Sequence, residues 1–95
     1  DFNKVPCLDF VHDYIDQGCI PGGCDRNFIS YGDDVGPLND KQKTLLCDPQ
    51  TSGGLLVAVK PEGREAFETL CQDNGLNLQP IGELVTEISP VVSLL

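Results

Sequence analysis

Several features that would point directly to a function are scarce or absent in this 95-residue sequence. It has no Met, no Trp and a single His, His12. His12 is therefore the one imidazole available for a Ser/His/Asp or Cys/His constellation in nucleophilic catalysis. Its longest uninterrupted apolar run, Leu55 to Val59, is far too short to cross a bilayer. Residues 1–4 do not resemble the basic start of a signal peptide. The missing starting Met predicts that the chain was cut from a longer protein.

Basic residues are also scarce. Six Lys and Arg stand against 15 Asp and Glu, which gives a formal net charge of -9 at pH 7. Nucleic acids and anionic membrane surfaces attract proteins with a positive excess. The sequence therefore predicts a soluble protein that binds neither nucleic acid nor membrane.

Cysteine usage is the next constraint. The five cysteines are an odd number and include no Cys-x-x-Cys pair, which speaks against a secreted disulfide framework and against a zinc ribbon. A metal site formed by Cys19, Cys24, Cys47 and His12 is conceivable from the residue types. The favoured interpretation is that all five are free thiols, acting as small buried hydrophobes in a reducing cytosol. They are Cys7, Cys19, Cys24, Cys47 and Cys71.

The first half of the chain predicts two short helices. Apolar residues at helical spacing over 8–17 predict an amphipathic helix that ends at Gly18. Asn39 followed by Gln42 is a weak capping box, which predicts a helix to about Leu46. Residues 27–31 fit a short strand or one helical turn equally well.

The second half predicts strands around one longer helix. The run 55–59 has no alternation and is bounded by turn residues, so we expect a strand buried on both faces. Pro61 predicts the start of a helix that Gly75 ends, with Ala66, Phe67, Leu70 and Cys71 as its apolar stripe. Residues 80–88 and 91–95 predict two further strands. This order indicates one α+β or α/β domain with helices on a small sheet.

Two glycine-bearing loops are candidates for binding an anion. The loop Thr51-Ser52-Gly53-Gly54 offers two hydroxyls and backbone N–H groups that can bind an anion. It follows Asp48 in the stretch of the chain that is richest in turn-forming residues. It precedes a predicted strand instead of a helix, so it is not a P-loop. It is interpreted either as a turn that bears hydroxyls or as a phosphate or substrate loop. The stretch Pro21-Gly22-Gly23 is interpreted as a plain turn.

The string Asp48-Pro49-Gln50-Thr51-Ser52-Gly53-Gly54 and the following Leu55–Val59 resemble the signature of the selenophosphate synthetase (selenide, water dikinase) C-terminal domain. Three further blocks follow the family's order: residues 18–23, residues 26–32, and residues 81–85. Fold relatives such as aminoimidazole ribonucleotide synthetase, the hydrogenase maturation factor and thiamine-monophosphate kinase lack the string.

The resemblance implies an α+β fold in which a small sheet is packed by helices, as in the aminoimidazole ribonucleotide synthetase-like superfamily. Residues 1–95 would be a truncated C-terminal domain, without the N-terminal ATP-binding and dimerisation domain. The family makes selenophosphate, AMP and phosphate from selenide, ATP and water, with Mg²⁺ at the phosphates, as a cytoplasmic homodimer.

The resemblance assigns no catalytic residue and no metal ligand to this chain, because the reactive Cys or selenocysteine, its Lys and the metal-binding aspartates lie upstream. It implies a cleft-facing loop formed by Asp48, Thr51, Ser52, Gly53 and Gly54. We therefore expect the 95 residues alone to be inactive. Two alternatives remain at this point: a stand-alone, non-catalytic interaction module of the same fold, and another ATP-dependent member of the superfamily. The string Thr51–Gly54 argues against the second.

Overall fold

The computed structural model describes residues 1–86 and 88–95. In this part of the chain the α-helices are α1 (Val11–Asp16), α2 (Cys24–Tyr31), α3 (Asp40–Leu46) and α4 (Arg64–Asp73). Single 3₁₀ turns precede α1, follow α2 and precede α4, at Phe2–Lys4, Gly32–Asp34 and Pro61–Gly63. None of the described helices is long and apolar enough to cross a membrane.

Helix α1 is shorter than the predicted span 8–17, and its ends show why. Phe10, at the N-cap, has φ 63°, in the left-handed region that an α-helix cannot include, so the helix begins at Val11. After α1 the chain closes with the predicted Gly18, at φ 78°. Gly18 N donates to Ile15 O at 2.9 Å, and Cys19 N donates to Tyr14 O at 2.9 Å. These two bonds form a Schellman motif, and the predicted stop is confirmed.

The predicted capping box of α3 is confirmed. Gln42 N donates to Asn39 Oδ1 at 2.9 Å, and Asn39 N donates to Gln42 Oε1 at 3.0 Å. The helix then runs to Leu46, as predicted, with Cys47 as its C-cap. Residues 27–31, which fitted a strand or a helical turn equally, belong to α2.

Helix α4 begins three residues later than predicted. Pro61 starts a 3₁₀ turn, and regular α-helix begins only at Arg64. Its end was predicted correctly: Gly75 has φ 72°, and Leu76 N donates to Cys71 O at 2.8 Å. Of the predicted apolar stripe only Cys71 is buried, and Phe67 is half-buried.

The small sheet predicted from the sequence is not formed by the described residues. Their only strand-type pairing is a parallel bridge between Val35 and Val92, in which Gly36 N donates to Val92 O at 2.7 Å. Residues 55–59 and 80–86 have no strand partner among the described residues, and 91–95 pair only through Val92. Glu87, within the predicted strand 80–88, lies outside the described residues.

The predicted burial of the run Leu55–Val59 is wrong for this chain. Leu55 is 92% exposed and Leu56 is 85% exposed. A two-faced buried strand needs a partner along its edge and a layer on each face, and the described residues provide neither. The whole chain exposes 8118 Å², against about 5,300 Å² expected for a closed domain of this mass.

The best-packed part of the molecule is the pair α2 and α3. Cys24 is 3% exposed and its Sγ–H donates to Thr44 O at 3.6 Å. Lys41 of α3 forms an ion pair with Asp16 of α1 at 2.9 Å, which ties the first helix to this pair. The candidate loop begins directly after α3, so this pair determines where the loop starts.

Candidate functional site

The loop 48–54 begins directly after Cys47, the C-cap of α3. Pro49 has no N–H to continue α3, and a residue before proline disfavours helical backbone. Asp48 is half-buried, whereas Thr51, Ser52, Gly53 and Gly54 are exposed. The structure therefore places all five predicted residues on one continuous loop with its hydroxyls toward solvent.

Few bonds within the loop compete with a ligand. In the described part of the chain its side-chain hydrogen bond runs from Gln50 Nε2 to Asp48 Oδ2 at 3.3 Å. The hydroxyls of Thr51 and Ser52 make no such bond there. Gly53 and Gly54 do not adopt a left-handed backbone, which among the described glycines occurs at Gly18 and Gly75. A positive φ therefore explains neither loop glycine. A Cβ added to Gly53 would lie 3.0 Å from Gln50 Oε1, whereas one added to Gly54 would have no described atom within 4 Å.

A second glycine loop meets the first. Gly23 is buried, and a Cβ added to it would lie 2.7 Å from Pro49 Cγ and 2.8 Å from Pro49 Cβ. Such distances are not tolerated without movement, so glycine is required for this approach. The interpretation of 21–23 as a plain turn missed this contact, because nothing local in the sequence indicates that Pro49 packs there.

Helix α2 holds the loop at a second point. Asn27 Nδ2 donates to Cys47 O at 2.9 Å, one residue before Asp48. Burial raises the pKa of the Cys24 thiol, and the nearby carboxylate of Asp48 raises it further. The start of α2 and the start of the loop therefore form one unit.

An ion pair between Lys43 of α3 and Asp25 of α2 also holds the two helices together. Lys43 Nζ lies 2.8 Å from Asp25 Oδ1 and 4.8 Å from the centre of the Phe28 ring. The hydrogen bond from Lys43 lowers the pKa of Asp25 and, reciprocally, raises the pKa of Lys43. Phe28, beneath the Lys43 ammonium, lines an apolar groove of about 300 Å³ together with Asn27 and Cys47.

The cysteines and the histidine do not form a centre. Cys24 and Cys71 are buried, which confirms the prediction of buried free thiols for these two, but Cys7 and Cys19 are exposed and Cys47 is half-buried. His12 is exposed. Within residues 1–86 and 88–95, no three His, Cys, Asp or Glu side chains are arranged to hold a metal ion. The described residues therefore do not fit a Mg²⁺ site.

Several proteins of one name are similar to this chain. No family model matches the chain. It is 80% identical over all 95 residues to "Selenide, water dikinase" of Colwellia psychrerythraea, and 54% identical over all 95 to the protein of that name from Pseudomonas aeruginosa. A third protein of that name, from Haemophilus influenzae, is 54% identical over 82 residues.

The match covers only part of these relatives. The chain spans 28% of the length of the first two and 24% of the third. Identity of this level along the whole chain confirms the resemblance found in the glycine-rich string and the three flanking blocks. Along its whole length the chain is similar to proteins named selenide, water dikinase (selenophosphate synthetase), and it corresponds to about a quarter of their length.

Proposed function

We propose that this chain works as part of a selenide, water dikinase, which makes selenophosphate, AMP and phosphate from selenide, ATP and water. The observation that supports this most strongly is the 80% identity to a protein of that name along all 95 residues. The string Asp48–Gly54 at the centre of the resemblance supports it further, because fold relatives of other activity lack it.

The same proposal assigns most of the chemistry to residues outside this chain. The reactive Cys or selenocysteine, its partner Lys and the aspartates that hold Mg²⁺ would belong to the N-terminal domain, which also forms the homodimer. The 95 residues would be the C-terminal domain or most of it, packed against that domain. Mg²⁺, when bound, would neutralise charge on the phosphates of ATP. Five free thiols suit the reducing cytoplasm in which we place the enzyme.

The α+β architecture belongs to the proposal as well. Exposed apolar side chains lie along the segments predicted as strands: Leu55, Leu56, Val57, Leu84, Val85, Val91 and Val92. So many exposed large apolar side chains are typical of segments that another element covers. We infer that the rest of the enzyme pairs with these segments and completes the small sheet.

Within the enzyme, the loop of Asp48, Thr51, Ser52, Gly53 and Gly54 faces the cleft and contacts the nucleotide or its products. Its exposed hydroxyls support this, as does its fixation at Pro49 by Gly23. A loop held at its base and bare at its tip can present hydroxyl donors without first losing internal bonds.

The activity is tested by selenide-dependent AMP formation from ATP in the full-length protein. We expect turnover there and none with the 95-residue chain alone, because the chain has no metal cluster in its described part. A full-length protein that consumes no ATP in the presence of selenide contradicts the proposed reaction.

The loop is tested by Thr51→Ala and Ser52→Ala in the same protein, with Thr69→Ala on the exposed surface of α4 as the control. Neither loop hydroxyl bonds to a described residue, so Tm should not change. A lost hydroxyl contact to ligand should lower kcat/KM for ATP by about 5- to 150-fold, equivalent to about 1–3 kcal/mol. If both loop variants have the same kcat/KM for ATP as the Thr69→Ala control, the loop is a structural turn and does not contact the ligand.

A further inference from the structure

Most of the positive charge of this chain is already paired. Four of its cations form ion pairs with carboxylates, at distances of 2.7–3.5 Å: Lys4, Lys41, Lys43 and Arg64. The other two, Arg26 and Lys60, form none with the described residues. The chain has 15 acidic residues, so the lack of an ion pair between Arg26 and the described residues does not reflect a shortage of carboxylates.

Arg26 lies at the junction of the two glycine loops. It is one helical turn beyond Gly23, on the same face of α2. Its Nη2 is 3.7 Å from the point that a Cβ on residue 23 would occupy, and Pro49 Cγ is 2.7 Å from that same point. The guanidinium is therefore folded back along the base of the loop 48–54.

The backbone that carries Arg26 is well fixed. Ser30 Oγ donates to Arg26 O at 3.0 Å, and the next residue, Asn27, is bonded to Cys47 O. Fixing the backbone leaves only the side chain to be ordered when a ligand arrives, which lowers the entropy cost of binding.

The two nearby carboxylates, Asp25 and Asp48, are bonded to other side chains and not to Arg26. Asp25 is occupied by Lys43, and Asp48 Oδ2 accepts from Gln50 Nε2 instead of from the guanidinium. An anion that enters the loop meets the carboxylate of Asp48, and Arg26 is the cation placed to offset it. Arginine presents paired N–H donors that match two oxygens of a phosphate.

We propose that Arg26 binds a phosphate group at the base of the loop Asp48–Gly54. The inference rests on the proposed function for the identity of the phosphate, which is either part of ATP or the inorganic phosphate product. It adds a charged residue from a different helix to the loop residues considered above.

The experiment uses the full-length protein with Arg26→Gln, Arg26→Lys and Lys60→Gln. Lys60→Gln removes the other cation without an ion pair, so it controls for the loss of one positive charge. Three quantities are measured: KM for ATP, kcat, and the inhibition constant of inorganic phosphate, with Tm alongside.

We expect Arg26→Gln to weaken one of the two phosphate sources by about tenfold or more, since a bond to a charged group is lost. A rise in KM for ATP identifies the nucleotide, whereas a rise in the inhibition constant alone identifies the product. Arg26→Lys should recover part of the loss, because it keeps the charge but not the paired donors. Lys60→Gln should stay within about twofold of the wild type.

Equal values for Arg26→Gln and Lys60→Gln in both quantities overturn the proposal. If Arg26→Gln lowers Tm, Arg26→Lys is compared with wild type instead. A KM for ATP and a phosphate inhibition constant equal to those of wild type then overturn the proposal. Titration of inorganic phosphate into wild type and Arg26→Gln, followed by calorimetry, keeps the test separate from the reaction. A protein without dikinase activity whose phosphate binding is lost in Arg26→Gln would contradict the proposed function and support the binding residue.

Discussion

The helix pair α2–α3 and the extended run Leu55–Val59 differ in how much of their structure they make for themselves. The helix pair buries Cys24 and Thr44, has a capping box at the N-terminus of α3 and joins its two helices through Lys43 and Asp25. The run is more apolar, yet Leu55 and Leu56 are almost fully exposed.

The difference follows from where each element finds its hydrogen bonds. A helix bonds N–H to C=O four residues away, so ten residues can satisfy much of their own backbone. A strand must find every partner on another segment. An apolar segment such as Leu55–Val59 is therefore not buried by its hydrophobicity alone, because burial also needs a neighbouring element of matching shape.

The largest expected effect comes from placing a charge in the run. In the 95-residue chain, Leu56→Asp should change the free energy of unfolding by no more than about 0.5 kcal/mol, because the side chain is exposed. In the full-length protein the same change should cost several kcal/mol, because we propose that other elements cover the run there. Urea unfolding of both proteins, with and without the substitution, measures the two values.

The control for this experiment is Glu68→Gln, on the solvent side of α4, which should have a small effect in both proteins. Equal, small losses for Leu56→Asp in both contexts would show that nothing covers the run. A large loss in the 95-residue chain would show that the run is already buried there.

The next effect tests the contact that connects the helix pair to the loop. Gly23→Ser should destabilise the protein by about 1–3 kcal/mol, because its Cβ would be forced against the rigid Pro49 ring. Serine is otherwise favoured at the N-cap position that residue 23 occupies, so capping alone predicts the opposite sign. The denaturant midpoint gives that sign directly.

Gly22→Ser is the matched control, since nothing lies within 4 Å of the Cβ that it adds. A Gly23→Ser variant more stable than Gly22→Ser would mean that the two loops do not touch. The helix pair would then have no close contact with Pro49.

The smallest effect is the pH dependence of the helix pair. The pKa of Asp25 lies below its ordinary value of 3.8 because Lys43 bonds to the charged form. This contribution to stability is therefore present above pH 3.8 and is lost as the pH falls through the lowered value. Lys43, whose pKa is raised above 10.5, contributes below that pH and loses its contribution as the pH rises.

Unfolding curves between pH 2 and 7 for wild type and Asp25→Asn test this. The wild type should be the more stable at neutral pH, and the difference should shrink below about pH 3.8. Asp33→Asn, whose carboxylate forms no ion pair with a described residue, should show a smaller change. A difference between wild type and Asp25→Asn that is constant with pH would mean that the ion pair does not form.

Local signals in the sequence predicted local structure well. Asn39 and Gln42 identify the start of α3 because the capping bonds join residues three apart. Gly18 and Gly75 identify helix ends because only glycine takes the left-handed backbone at no cost. The string Asp48–Gly54 identified the family, as the comparisons confirm.

Non-local structure could not be predicted in this way. Gly23 and Pro49 are far apart in sequence, and their contact depends on how α2 packs against α3. We propose that elements outside the 95 residues cover Leu55–Val59, and no pattern within the chain could predict them. For the candidate site, the sequence predicted the loop residues but no role for Arg26, because its position beside Gly23 and Pro49 depends on how α2 packs against α3.

The helix pair α2–α3 and helix α4 each contain one buried thiol, whose reactivity reports on the local opening of that part of the molecule. Cys24 lies in the helix pair and is 3% exposed, Cys71 lies in α4 and is 7% exposed, and Cys7 and Cys19 are open to solvent. The thiolate is the nucleophile that attacks an alkylating reagent and displaces its leaving group, so the exposed cysteines react first. Cys24 and Cys71 react only when the surrounding helix loosens. The rate of alkylation at each buried position, followed by mass spectrometry, therefore records how often each half opens, without any engineered label.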